Sequence, residues 1–412
     1  MIRWIISSSI MLFHIATYSQ ISSLTSSPYS MYGLGSTNFE NTGITNSLGY
    51  SGVALPSEFE LNSLNPASLA SIPQNSFFFD IGLKLQNTSN ESSRSSSKER
   101  AFGFSNFSLG FPLNTKSAVA LSLIPYSNVG YIFDDIRGKV AGSEEQYTSA
   151  IIGSGGLNKF CLSYARKIGN KLRLGSEVAF NFGNVSQQEN ISFSNSLTRL
   201  DEVSHYEGFQ ISFGAQYDLR KNIIVGTSIK LPNYLKASKD RTLLNVTDNG
   251  TTILEDESNL FMRNFKLPLD ITIGGRFVFK NFIINTDYRQ IFWSKTELTD
   301  NVGTYTDNSI FSIGTEYRKK FRSNANKSKL LRLRSGFTFN SGNLEIKDYK
   351  IATSAFTIGA GIPIGSLNSN LNISYSYGTT GQVTNTLIRE IQHKITINFS
   401  FEDLWFIKRK YD

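Results

Sequence analysis

The chain has 412 residues, a net charge of +8 and 40% hydrophobic residues, yet 31 Phe and 18 Tyr help lift the aromatic share to 13%. Abundant aromatics at a mean hydropathy of −0.19 argue against a compact soluble enzyme and for a thin apolar surface backed by polar residues. The Lys and Arg are scattered rather than gathered into a basic stripe, which argues against a nucleic-acid partner.

In chain order, Met1-Ile2-Arg3 supplies a positive start and residues 4–16 a short apolar run, too short to span a membrane as a helix. Thr17-Tyr18-Ser19 before Gln20 offers small residues at a cleavage site, so residues 1–19 read as a signal peptide. The only cysteine, Cys161, has no intramolecular disulfide partner.

Residues 20–76 are rich in Gly, Ser, Asn and Pro and read as an N-terminal plug. Within them "LNSLNPASLASIP" (61–73) does not alternate like a strand. Asn65 suits a helix cap and Pro66 the first helical position; Ala67 to Ile72 is one or two turns, ended by Pro73. A plain linker has no need of Leu61, Leu64, Leu69 and Ile72, which read as buried.

From 77 to 401 the chain alternates with period two, segment after segment. In 393–401, Ile395, Ile397, Phe399 and Phe401 oppose Lys394, Thr396, Asn398 and Ser400. Fourteen such segments are separated by linkers that are in turn short and long, the long ones including 87–100, 127–156, 185–205 and 233–266. Tight turns on one rim and long loops on the other fit an outer-membrane barrel better than a soluble Greek key. The expected fold is therefore all-β: a transmembrane up-and-down β-barrel of about 14 antiparallel strands with an N-terminal plug in the lumen. Its polar inner wall would include Arg173, Glu177, Arg276, Asp287, Arg289, Glu316 and Arg318, with Lys230, Arg332 and Arg334.

The loops carry little chemistry. Residues 87–100 are Ser-rich and charged and read as an exposed loop, and Asp248-Asn249-Gly250 as the turn of an extracellular hairpin. Glu255-Asp256-Glu257 matches no calcium-loop spacing and reads as a solvated charge run. No catalytic motif is present; a hydrolase triad assembled from distant strands would need His205 or His393 as its base. The reading is no enzyme, no metal and no cofactor. Residues 402–412 form a basic periplasmic tail, with Trp405 and Phe406 in the aromatic girdle and Lys408, Arg409 and Lys410 beyond it.

The Asn-Pro-Ala of residues 65–67, in "NPASL" just before the first strand, resembles the hatch motif of the long-chain fatty-acid transporter (FadL-like) barrels. "LPLDITIGGRFVFKNFIINTDYRQIFWS" (267–294) is similar to a strand pair of that family. "SPYSMYGLGS" (27–36) and "FSFEDLWFIKRKYD" (399–412) resemble its Bacteroidota branch. The resemblance implies a monomeric barrel whose hatch, anchored by Asn65, Pro66, Ala67 and Leu69, blocks the lumen. It also implies hydrophobic ligands that enter from outside and leave through a lateral opening or toward the periplasm. Ser68 replaces the family's Gly, and the inner wall is heavily charged for an apolar pocket.

Two functions follow. One is passive uptake of a small hydrophobic ligand across the outer membrane of a Gram-negative bacterium, gated by the hatch. The other is a non-transporting barrel that serves as subunit or docking partner of an envelope secretion or assembly complex. The partners are accordingly outer-membrane lipid with a hydrophobic ligand or with envelope proteins. An apolar path from loops to hatch would favour the first; a filled lumen with a salt-bridge network would favour the second. N-terminal sequencing of the mature protein is expected to begin at Gln20; a start at Met1 would remove the signal peptide from this reading.

Overall fold

The computed structural model describes residues 27–38, 42–140, 142–193, 196–248, 250–296, 303–322, 328–364 and 369–404. The signal peptide and the tail residues Trp405, Phe406, Lys408, Arg409 and Lys410 lie outside them.

The N-terminal segment carries short 3-10 turns at Pro28–Met31, Thr45–Ser47 and Pro66–Ser71, and a two-residue strand β1 (Ser36–Thr37). Then come β2 (Ser76–Glu91), β3 (Ser96–Asn114), β4 (Ser117–Pro125), β5 (Ser127–Lys139), β6 (Gln146–Ile168), β7 (Leu172–Ser192) and β8 (Leu197–Arg220). Next are β9 (Ile223–Lys230), β10 (Asn233–Thr247), β11 (Gly250–Phe261), β12 (Phe265–Leu267), β13 (Asp270–Phe279) and β14 (Phe282–Ile291). The last third holds β15 (Thr304–Tyr305), β16 (Asn308–Arg322), β17 (Ser328–Asn340), β18 (Leu344–Ile346), β19 (Tyr349–Lys350), β20 (Thr353–Pro363), β21 (Asn370–Thr380) and β22 (Arg389–Leu404).

Antiparallel pairing runs β2–β3–β4–β6–β7–β8–β9–β13–β14–β16–β17–β20–β21–β22, a wall of 14 strands among the described residues. β22 returns to β2, from Ser76↔Leu404 to Glu91↔Arg389, and closes the barrel. Closure is what the sequence pattern demands: in hydrocarbon every backbone N–H and C=O needs a partner, and only a sheet without edges supplies one. On β8 Phe209, Ile211 and Phe213 are exposed, while Gln210, Ser212 and Gln216 are buried. The apolar side therefore faces outward and the polar side inward, as in a transmembrane barrel.

Three of the expected long loops are strand instead. Residues 87–91 and 96–100 extend β2 and β3 around a turn at 92–95. Most of 127–156 belongs to β5 and the upper half of β6, and most of 185–205 to the upper parts of β7 and β8. Above the bilayer both faces of a strand are wet, so the apolar–polar alternation that marks a strand fades. The 233–266 hairpin is present as β10 and β11, with Asn249 of its turn outside the described residues. His205 stands opposite Ser238 and its ring reaches diagonally to Asp240 on β10 at 3.0 Å, so His205 lies within a strand rather than at its start.

Among the described residues the wall has a seam between β3 and β5. β3 pairs with β4 only from Phe107↔Leu123 down to Asn114↔Ser117. Above that, β5 continues the line of β4 along β6 but does not pair with β3 among the described residues. Instead β1 lies on the free edge of β5, with Ser36↔Asn128 and Thr37↔Ser127.

Ile397, exposed and paired with Leu83 and Ile373, sits near mid-height on the lipid face. Ile397→Arg is expected to cost about 2–4 kcal/mol of folding stability in vesicles, and Leu254→Arg on the exposed β11 close to nothing. Urea titration into preformed vesicles measures both.

Candidate functional site

The site begins at the Asn65-Pro66 corner. Asn65 is extended, and its Oδ1 accepts from the Ala67 N–H at 3.0 Å, capping the 3-10 turn Pro66–Ser71. Its Nδ2 faces the carbonyls of Val53 (2.8 Å), Ala215 (3.2 Å) and Thr227 (3.1 Å). One side chain thus caps its own turn, ties it to an earlier loop and fixes both to wall strands β8 and β9. Pro66, Ala67, Ser68 and Leu69 are all buried. Leu69 joins Leu61, Ile72, Phe78, Ala118, Ala120 and Ala165 in an apolar cluster against the wall. Leu64, in contrast, is only half-buried.

Close approach of the N-terminal segment depends on glycines at inward positions of successive strands. A Cβ on Gly175 would strike Pro66–Ala67, on Gly214 Asn65, and on Gly226 Val53–Ala54. On Gly314 it would strike Leu48, and on Gly336 Leu48–Gly49. Between these contacts Asp287 accepts from the Gly52 and Val53 N–H groups at 2.7 and 2.9 Å. Gln216 donates to the Val53 and Leu55 carbonyls.

The inner-wall charges fall into separate groups. Glu316 binds Arg318 at 2.6 Å and Arg334 at 2.7 Å. Arg334 and Arg332 also reach Glu60 of the N-terminal segment, at 3.5 and 3.9 Å. Phe59 packs its ring beneath Arg318 and Arg332, at 5.6 and 5.1 Å. Arg276 is buried nearby and feels Glu58 and Glu316. Elsewhere Glu177 takes Lys159 at 2.9 Å, Arg173 takes Asp218, and Arg289 with Lys230 takes Asp270. The predicted polar residues are therefore all in the wall but do not form one network. Sequence reading missed Glu60, Lys159 and Asp270, and the inward glycines.

Above this layer lies a cavity of about 210 Å³. Its lining mixes apolar Tyr126, Ile291, Trp293, Ile310 and Leu344 with polar Gln86, Asp270, Arg289, Glu390 and Lys394. The three-stranded sheet of β15, β18 and β19 contributes Tyr305 and Leu344 to its lining, and Tyr32, Leu344, Ile346 and Ile351 form one apolar cluster. Burial pushes the Tyr29 phenol up to about 12, so it remains protonated and donates to the Ile388 carbonyl at 2.6 Å. A smaller cavity of about 30 Å³ lies at the seam, lined by Asn38, Lys84, Ser105, Pro125 and Lys394. Asn38 and Lys394 line both.

The family model for BamG matches residues 1–412. The chain belongs to the BamG family. This BamG-family chain matches no curated protein. Its barrel is similar to the toluene transporter TodX of Pseudomonas putida at 16% identity and TM-score 0.61, covering 90% of this chain and 100% of that one. The CymD monoaromatic hydrocarbon channel gives 15% and 0.59, with 89% and 98% covered. A FadL homologue of Pseudomonas aeruginosa gives 11% and 0.56, with the same coverage. The BamG-family barrel therefore has the FadL-like outer-membrane fold.

Glu60→Gln would leave Arg332 and Arg334 short of a buried counter-charge, at a cost of about 3–5 kcal/mol. Glu144→Gln, which loses only an exposed pair with Lys139, should change stability by less than about 1 kcal/mol. The temperature at which the folded band is lost on a heat-modifiability gel compares the two.

Proposed function

We propose that this barrel is a FadL-like channel for small hydrophobic molecules, in which the N-terminal segment is the hatch and the seam between β3 and β5 is the exit. The supporting observation is the seam itself. It is the place where the wall is held by side chains and a two-residue strand instead of a continuous ladder. A small aromatic hydrocarbon, of the class for which TodX and CymD are channels, would enter the upper cavity, where Tyr126 and Trp293 offer it apolar contacts. Shifting β1 off β5 would open the seam toward the bilayer. The floor would remain shut: Asn65, Pro66, Ala67 and Leu69 are tied to the wall, and Glu60 and Asp287 add charged anchors. The role is non-enzymatic. The features at 27–36 and in the final strand are consistent with the Bacteroidota branch.

A second reading has its own observation. The N-terminal segment is fixed by buried ion pairs, and five charged residues, Lys230, Asp270, Arg289, Glu390 and Lys394, line the upper cavity. Both suit a closed barrel that serves as subunit or docking partner of an envelope complex.

One experiment separates them. Ser36 and Asn128 are paired residues on β1 and β5, close enough for a disulfide. With Cys161→Ala to remove the native thiol, Ser36→Cys with Asn128→Cys is expected to abolish uptake of labelled toluene by cells when oxidised and to restore it on reduction. Equal uptake in both states would remove the seam gate. No uptake in either state, with envelope proteins found at stoichiometric amounts by mass spectrometry of the purified barrel, would establish the second reading.

A further inference from the structure

Two lysines at the inner mouth of the seam are not matched by acids among the described residues. Lys84 on β2 is 8% exposed and points inward. Its Nζ donates to Asn38 Oδ1 at 3.3 Å, a neutral acceptor. The charge it feels is a second cation, Lys394 on β22, which pairs with Gln86 one inward position above. Lys394 stands 5.9 Å from the Tyr50 ring centre.

The inward carboxylates above and below are already engaged. Glu390, one turn of the pleat beyond Gln392, accepts from Ser27 Oγ at 2.5 Å and Gln392 Nε2 at 3.2 Å. Asp80 accepts from Asn106, from Asn398 at 2.8 Å and from Ser400 at 2.5 Å. Neither acid has an ion pair with either lysine among the described residues. Elsewhere on the inner wall the buried cations Lys159, Arg173, Arg332 and Arg334 each have a carboxylate. Buried Arg276 also has no carboxylate within ion-pair distance among the described residues, but it feels Glu58 and Glu316, whereas Lys84 feels a second lysine.

A buried cation without a counter-charge costs several kcal/mol, and a second one beside it adds repulsion. The space to supply the missing charge is present. The cavity of about 30 Å³ lined by both lysines, Asn38, Asn46, Ser105 and Thr396 exceeds what one water needs. It shares Asn38 and Lys394 with the neighbouring cavity of about 210 Å³, which has room for a phosphate-sized group beside Lys394.

We propose that Lys84, Lys394 and Asn38 form a binding site for an oxyanion, a phosphate or carboxylate group, at the inner mouth of the seam. The lysines supply the charge and three donors each. The anion arrives either free through the upper cavity or as the head of an amphiphile whose chain lies along the seam. The site stands whether or not the barrel conducts hydrocarbons.

The test is calorimetric titration of the full-length barrel in maltoside micelles with inorganic phosphate, octyl phosphate and octanol. At least one of the two phosphates is expected to bind, and octanol is not. Tighter binding of octyl phosphate than of inorganic phosphate identifies an amphiphile head; equal binding identifies a free anion. Lys84→Gln and Lys394→Gln should each weaken binding by about tenfold or more, and Lys394→Arg should preserve it. Removing an unmatched charge relieves the fold, so both Gln variants are expected to keep the folded gel band. If Lys84→Gln loses it, the half-buried Lys394→Gln carries the test alone. Binding of neither phosphate, octanol binding as well as octyl phosphate, or unchanged binding in Lys394→Gln would overturn the proposal.

Discussion

The need to pair every backbone amide in a medium without water governs this molecule. It explains why the chain returns to its first wall strand through sixteen register pairs between β2 and β22. It also explains why one unpaired stretch matters more than any loop. Where β3 parts from β5, the N-terminal segment lends β1, and Asn38 donates its N–H to the Tyr126 carbonyl at the break. The N-terminal segment and the wall are thus parts of one hydrogen-bonded structure.

A second constraint follows from the first. A barrel of this width must place polar residues inside, and those residues must then satisfy one another. The wall does so locally, with acids and bases on neighbouring strands: Glu316 with Arg334, Glu177 with Lys159, Asp270 with Arg289. The N-terminal segment enters this arrangement at a few points, chiefly Glu60, Asn65 and the Gly52–Val53 amides. Glycine on the wall lets its backbone come close enough to do so.

How much was legible in the sequence varied with the distance over which each feature is determined. The Asn65 cap is a two-residue interaction with a fixed local geometry, and it reads directly from Asn-Pro. Strands within the bilayer announce themselves because one face must be apolar. Their continuation above the membrane does not, as 185–205 demonstrates: Asp201, Glu202 and His205 look like loop residues until their pairing is seen. The arginine partners of Glu60 lie some 270 residues away and its partners Asn372 and Ser400 more than 300, and nothing near Phe59 indicates them. The inward glycines were in principle visible. Gly175, Gly214, Gly226, Gly274, Gly314 and Gly336 all occupy polar-face positions of strong strands, where a side chain would be expected unless a second layer lies against them. The tail at 402–412 was assigned a role that falls mostly outside the described residues.

The unequal strand lengths have a consequence of their own. β6, β7 and β8 have 23, 21 and 24 residues, whereas β13, β14, β20 and β21 have 10 or 11. The molecule is therefore built like a band shell: a high curved back on one flank and a low front on the other. Seen from outside the cell it has a compass bearing, and anything that approaches it across the membrane surface meets a different object from each direction.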